Sequence, residues 1–454
     1  IPVQNIERIE IFRGHAPVSF GGSALGGVVN IVTRGPSDVK TERISSSVAS
    51  FGTFVESYFM TRKAHSWDHS FSGVFQGSNG KFSYIDDNAT SFNTADDAKV
   101  VRENNDHRAL NLEWNAERYG GPSERLKISN SFFMKGEGVP GLGSSQSEVA
   151  GLRTQRIIND IRWERDKFPF RGTSIALGFQ HTYNQSDFFD PLSEIGVGTN
   201  DNRNTTRRIA ADFELSAEPY KNHLASLIVK WSHESYTPFD YLAAMPIGNR
   251  SERDGLYAAV EDRISLFKDR LLVTPSVRYE SYDSDFTPDP FTAPTIKTTA
   301  SDDLAGGYVG VRYRLNDVLT LRFNGGRFNR LPSLYELFGD TGNVTGNPNL
   351  APEEGNNYDA GFGADLSKAI GKPGLFEATY FKSEVKNLIT YIQNSQRTAR
   401  ATNIGRAKID GLELTFQIEP TSRWTLNSNF TWQDAVDDSS VAFWRGNKLP
   451  GIHE

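Results

Sequence analysis

The sequence predicts an all-β protein whose strands build a transmembrane antiparallel β-barrel. Three observations carry that expectation. Apolar residues recur at every second position, the alternating segments are long, and the connections between them are short and long in turn. About nine to eleven tilted residues cross a bilayer as a strand, whereas strands of globular sheets usually have about five or six.

From about Arg43 onward the dyad period marks one strand after another. Leu110, Leu112, Trp114 and Ala116 interleave with Asn111, Glu113, Asn115 and Glu117. Leu126, Ile128, Phe132 and Met134 share a face, as do Ile209, Ala211, Phe213 and Leu215. Val273, Val277 and Tyr279 alternate with Thr274, Ser276, Arg278 and Glu280, and Val309, Val311 and Tyr313 with Arg312 and Arg314. Leu412, Leu414 and Phe416 oppose Glu413, Thr415 and Gln417, and Trp424, Leu426, Phe430 and Trp432 close the series. Period two places one set on each face of a strand.

Short polar turns are expected at 63–68, 119–124, 167–172, 219–222, 268–270, 316–317, 368–373 and 420–423. Long loops are expected at 80–106, 136–151, 184–204, 238–251, 284–303, 331–354, 387–403 and 435–451, with one tight turn on the long-loop side at 51–53. Short turns on one rim and long loops on the other are the layout of an outer-membrane barrel. The count comes to about seventeen strands, against about 22 in a plugged transporter barrel.

Composition is compatible with this. Mean hydropathy is negative and no run approaches the roughly eighteen apolar residues of a membrane helix, but a barrel spends apolar residues on one face only. The chain has no cysteine, which removes disulfides and thiolate metal sites. A net charge of −7 argues against nucleic-acid binding. His65 and His69 bracket a short turn and are read as surface residues, so no metal site is expected.

Residues 1–36 set glycine turns between short β-type runs and end in Val28-Val29-Asn30-Ile31-Val32. Ile6-Glu7-Arg8-Ile9-Glu10, Arg13-Gly14, Gly21, Ala24, Gly26-Gly27 and Asn30-Ile31 together resemble the end of the plug domain of TonB-dependent outer-membrane receptors. His15 stands where proline is more usual, and Phe20 precedes Gly21 where tyrosine is common. The resemblance implies a plug in the barrel lumen, with residues 1–38 as its C-terminal part and 39–454 as the barrel. The chain opens inside that motif, without initiator methionine or signal peptide, and stops as another strand is due. It is therefore expected to be a fragment lacking its N-terminal part and its last strands.

Gly14, Gly21, Gly26 and Gly27 are assigned to plug turns, since the GK[ST] ending of a phosphate loop is absent. By resemblance, Glu7, Arg8, Glu10 and Arg13 are expected to latch the plug to acidic residues of the inner wall. Asp359 in NYDAGFG and Glu413 in IDGLELTF are the candidate partners, Asp359 being shorter than the usual glutamate by one methylene. The segment 328–362 resembles a loop with flanking strands common in these receptors, marked by Phe328, Leu331-Pro332 and Asn347-Pro348-Asn349-Leu350, with a short helix over Leu334–Phe338. Haem receptors usually carry a histidine between those ends; residues 333–346 have none. Tyr335, Phe338 and Tyr391 are candidates for stacking on a ligand, and Arg397 and Arg400 for attracting an anionic chelate.

The implied function is active transport across the bacterial outer membrane, with TonB, a small-molecule ligand and outer-membrane lipid as partners. An iron–siderophore complex is the first substrate expected, with cobalamin, haem or a glycan as alternatives. A passive porin shares the barrel pattern but has no use for residues 1–36. The chemistry is binding and translocation. No catalytic residue, cofactor or enzyme activity is expected.

Overall fold

The computed structural model describes residues 2–13, 18–21, 27–90, 92–168, 170–195, 198–242, 250–287, 299–339, 344–393, 399–439 and 445–449. Two strands, β1 (Ile6–Arg13) and β2 (Gly27–Thr33), pair as an antiparallel hairpin. A 17-strand antiparallel sheet then forms the wall. Its first half comprises β3 (Thr41–Ala49), β4 (Thr53–Ala64), β5 (Trp67–Ser78), β6 (His107–Tyr119), β7 (Glu124–Gly138), β8 (Gly151–Asp166), β9 (Thr173–Asp190) and β10 (Asn200–Ala217). β11 (His223–Asp240), β12 (Arg250–Leu266), β13 (Leu271–Thr287), β14 (Thr299–Arg314) and β15 (Leu319–Arg330) follow. β16 (Glu353–Asp365), β17 (Gly374–Gln393), β18 (Ala399–Thr421) and β19 (Trp424–Asp437) complete it. Each wall strand pairs with the next one in the chain, as the pattern of turns and loops requires. The sheet curls into a cylinder, but no register joins β19 to β3 among the described residues, and both strands are exposed along most of their length.

The alternation sorts side chains as expected. Val277 is 63% exposed, while its neighbours Ser276 and Arg278 are 7% and 8% exposed. Outward rows continue through Leu177, Phe179, Trp231, Leu256, Tyr279 and Phe323. The opposite rows are polar and face the bore, a division that only a lipid-bathed cylinder favours.

The loops expected at 184–204 and 387–403 are shorter than the sequence suggests. β9 runs to Asp190 and β10 starts at Asn200; β17 runs to Gln393 and β18 starts at Ala399. The ladder simply continues past the apolar belt. There both faces carry polar groups, as where Arg203 Nε meets Asp187 Oδ1 at 2.7 Å, so the dyad period fades while the strands persist. β18 is 23 residues long, about twice what a bilayer requires.

An arginine on the lipid face tests the assignment of faces. Val277→Arg should destabilise the complete protein in lipid by roughly 2–4 kcal/mol if its site lies near mid-bilayer. The measurement is reversible denaturant unfolding from vesicles; no loss of stability would contradict a lipid-facing Val277.

Candidate functional site

The hairpin lies in the bore and is fastened at two sides. Asn5, in the short turn Val3–Asn5, is 3% exposed. Its amide donates to Asn111 Oδ1 (3.4 Å) and Glu113 Oε2 (3.3 Å), and its oxygen accepts from the Ser72 hydroxyl. Thr33, ending β2, donates to Glu113 Oε1 at 2.8 Å. Ser72, Asn111 and Glu113 alternate with the outward residues of β5 and β6, so these contacts reach the inner wall.

A second seat lies on β11 and β12. The turn Val18–Phe20 places Val18 in a buried cluster with Ile228, Tyr257 and Ala259. Tyr257 donates its hydroxyl to the Val18 carbonyl (3.0 Å), and Lys230 Nζ donates to the Ser19 carbonyl (2.6 Å). The Val18 N–H donates to Glu261. Gly21 (φ 65°) and Gly27 (φ 118°) hold backbone that L side chains rarely adopt, and a Cβ on Gly21 would stand 3.0 Å from Lys230 Nζ.

A group of charges on this side of the bore is paired. Arg162 donates to Glu164 (2.9 Å), Asp212 (3.0 Å) and Glu214 (2.9 Å), and Arg125 shares Glu164. Beside the hairpin, a cavity of about 340 Å³ is lined by Phe12, Glu261, Arg263, Tyr308, Arg312 and Asn324. Arg263 and Arg312 make no ion pair among the described residues.

The expected latch residues are placed differently. Arg8 pairs with Glu10 (2.8 Å) and Glu7 (3.4 Å), and Asn30 donates to Glu10 at 2.8 Å. Arg8 and Glu10 share a strand face, and Asn30 stands opposite Glu10 in the register, so these groups satisfy one another within the hairpin. Among the described residues, the ion pairs of Glu7, Arg8 and Glu10 thus stay within the hairpin instead of reaching the wall. On the wall, Asp359 accepts from Asn324 Nδ2 (2.7 Å), and Glu413 stands in register between Thr379 and Thr431. The Arg13 side chain, Gly14, Gly26 and Arg397 lie outside the described residues.

Over the long-loop rim, the chain between β15 and β16 folds back as a cap. Helix α1 (Leu334–Phe338) forms as expected, and a capping box explains why it starts there. Ser333 Oγ accepts the Glu336 N–H (3.1 Å), and Glu336 accepts the Ser333 N–H (2.7 Å). Arg330 donates to both Glu336 oxygens (3.1 Å each) and to Glu353 Oε1 (2.9 Å). Glu353, 1% exposed, also takes the Ile389 N–H at 2.7 Å. Arg253, itself buried, donates to Ser284 (3.0 Å) and to the Pro332 carbonyl (2.8 Å). Asn347 bonds the Ala401 carbonyl (3.0 Å) through its side chain and the Glu336 carbonyl (3.0 Å) through its backbone.

Leu334, Leu337 and Leu350 pack with Tyr236 and Ala401 beneath these bonds. Tyr335 and Phe338 lean on the same cluster, Tyr335 edge-on to Tyr236 at 6.2 Å, so both candidates act first as packing groups. Tyr391 is 44% exposed and Arg400 is exposed. Burial pushes the Glu336 carboxyl up, but hydrogen bonds from Arg330 and Ser333 outweigh it and hold it below its ordinary value near 4.5.

Residues 50–454 match the family model described as TonB dependent receptor-like, beta-barrel. Heme/hemopexin utilization protein C of Haemophilus influenzae (strain 86-028NP) is 29% identical over 211 residues, which cover 41% of this chain and 28% of that protein. Ferric enterobactin receptor PirA of Pseudomonas aeruginosa is 23% identical, across 100% of this chain and 65% of its own length. The chain thus spans well under a third of the first relative and about two thirds of the second. Among solved structures, the copper transporter OprC has a TM-score of 0.77 at 14% identity, over 96% of this chain and 67% of its own. The alcaligin outer-membrane receptor FauA of Bordetella pertussis has 0.68 at 14% identity, over 98% and 69%. At such identities the structures share the fold.

The cap generates a test. Arg330→Met leaves the Glu353 carboxylate buried without its cation, a loss on the order of 3–5 kcal/mol for such a pair. Hydrogen exchange at the α1 amides should accelerate accordingly, and unchanged protection would refute the triad as the cap's support. The pH sign is also fixed. Because the Glu336 carboxyl is lowered on folding, its contribution is complete above about 4.5 and is lost as pH falls through its folded value. Exchange that instead quickened on raising pH, after correction for intrinsic rates, would contradict this.

Proposed function

The chain belongs to the TonB-dependent receptors, and from that premise we propose that the complete protein imports a scarce iron chelate across the bacterial outer membrane. The observation that carries this reading is the hairpin fastened across the bore by Asn5, Thr33, Val18 and Ser19. A passive porin needs no such stopper. In the proposed cycle, ligand settles on the cap side, TonB pulls the plug, and the hairpin leaves its seats to open a path. Binding and movement suffice, with no covalent step and no catalytic residue.

An anionic iron–siderophore suits the residues best. Arg263 and Arg312 line the gap beside Phe12 with no ion pair among the described residues, and Arg400 is exposed near the cap. Haem is the second reading, favoured by the similarity to the heme/hemopexin utilization protein C of Haemophilus influenzae. Against it, the cap lacks histidine, and His181 and His233 alternate with bore-facing residues of β9 and β11.

The test is radioiron uptake by iron-starved cells whose other receptors are deleted, supplied with a panel of ferric siderophores or with haem. At least one chelate should be accumulated, and accumulation should vanish without TonB. Uptake that persists without TonB would overturn the transporter reading. Rescue by haem alone would overturn the siderophore assignment.

A further inference from the structure

The outer face of β9–β12 changes character above its apolar belt. In cross-strand register, Phe179, Ala211, Trp231 and Leu256 form the last apolar row. Two residues further along, the row reads His181, Ile209, His233 and Asp254; two further still, Tyr183, Arg207, Ser235 and Glu252. These positions share parity with Leu177, Phe179 and Leu256, which are 46%, 47% and 45% exposed, so they face away from the bore. At about 3.3 Å per residue they lie roughly 7 and 13 Å along the strands from the Trp231 row. That is the depth at which a bilayer's hydrocarbon gives way to headgroups.

At this level an open pocket of about 390 Å³ is lined by His181, Thr205, Arg207, His233, Thr237 and Arg250. Hydrogen-bond donors dominate it. Arg207 makes no ion pair among the described residues; its guanidinium rests 5.7 Å over the Tyr183 ring. Arg250 meets Glu252 at 2.5 Å in an exposed pair, and His233 Nδ1 lies 3.1 Å from Asp254. The two carboxylates thus engage one arginine and one imidazole, and His181 Nδ1 lies 3.2 Å from Asn159 Nδ2, leaving the Arg207 guanidinium and both threonine hydroxyls to a ligand. Among the described residues, no hydrogen bond from the hairpin or the cap uses the side chains lining this pocket.

We infer that this pocket binds the phosphorylated headgroup of an outer-leaflet lipid, with the acyl chains lying along Phe179, Trp231 and Leu256. Arginine matches phosphate geometry with parallel N–H donors, and hydroxyls complete the oxygen shell. The apolar row directly beneath distinguishes a lipid from free phosphate, which has no use for it. The inference rests on the reading that the wall spans the outer membrane.

The test reconstitutes the complete protein in phosphatidylcholine vesicles with or without phosphatidate, extracts it and counts retained lipid by native mass spectrometry. Wild type should keep phosphatidate in preference to phosphatidylcholine. Arg207→Gln combined with Arg250→Gln should lower that retention by at least about tenfold, since both charge-assisted bonds to the phosphate are lost. Arg207→Lys with Arg250→Lys should restore part of it, which separates charge from mere surface change. Equal retention by wild type and the glutamine variant would overturn the site. Inorganic phosphate that displaces phosphatidate at low concentration would overturn the lipid as its source. Failure of wild type to become protease-protected in either vesicle would instead refute the membrane-spanning reading itself.

Discussion

A backbone surrounded by hydrocarbon has no water to bond, so every N–H and C=O at that depth must find a partner within the protein. The registers from β3 to β19 meet this demand between neighbouring strands, with a shift between Ile418 and Thr421 beside a short turn. Once the ladder is set, side chains have only two directions left. That is why Val277 lies open to lipid while Arg278, the next residue, is buried in the polar bore. A polar bore in turn dictates how anything inside it is held: a stopper there is fastened by hydrogen bonds and short apolar seats, because no broad oily surface is available to it.

The two fastened regions differ in strength for reasons visible in their chemistry. At the hairpin seam, Lys230 and Tyr257 each give one bond to a backbone carbonyl, and Glu113 takes one from Thr33 and one from Asn5. Bonds of this kind contribute roughly 0.5–1.5 kcal/mol net, somewhat more where a charge takes part. Separating them wets polar groups in a polar bore, so little desolvation is left uncompensated. At the cap, Glu353 is almost wholly enclosed and shared between Arg330 and the Ile389 amide. Removing one member there strands a buried charge. A pull on the hairpin thus breaks single bonds in turn, while the cap resists as a unit.

The sequence made the wall legible because lipid and water act on alternate residues, and Leu110, Leu112 and Trp114 against Asn111 and Glu113 show that contrast directly. Beyond the belt the contrast disappears. The stretch holding Asp187 and Arg203 reads as loop although it is paired strand. The cap was only partly legible. Its ends and helix could be placed, since Ser333 and Glu336 are local partners. Its supports could not, because Arg253 reaches Pro332 across 79 positions and Arg330 reaches Glu353 across 23. The local pairing of the hairpin charges was overlooked for the opposite reason. Their partners were too near: Arg8 closes on Glu10 two residues away, a pairing that alternating charges along one strand face make available before any wall is reached.

This last difference decides how a bulky anion would travel in the proposed cycle. With Glu7, Arg8 and Glu10 satisfied inside the hairpin, the hairpin can move without stripping counter-ions from the wall. Arg162 holds its three carboxylates on the wall without drawing on the hairpin. In the gap beside Phe12, Arg263 and Arg312 make no ion pair among the described residues and so stand ready for a passing ligand. An anion drawn to them lies next to the hairpin, not under the rigid cap. Withdrawal of the stopper therefore widens the gap where that charge already waits, and the same motion that opens the path leaves the cylinder's own pairing untouched.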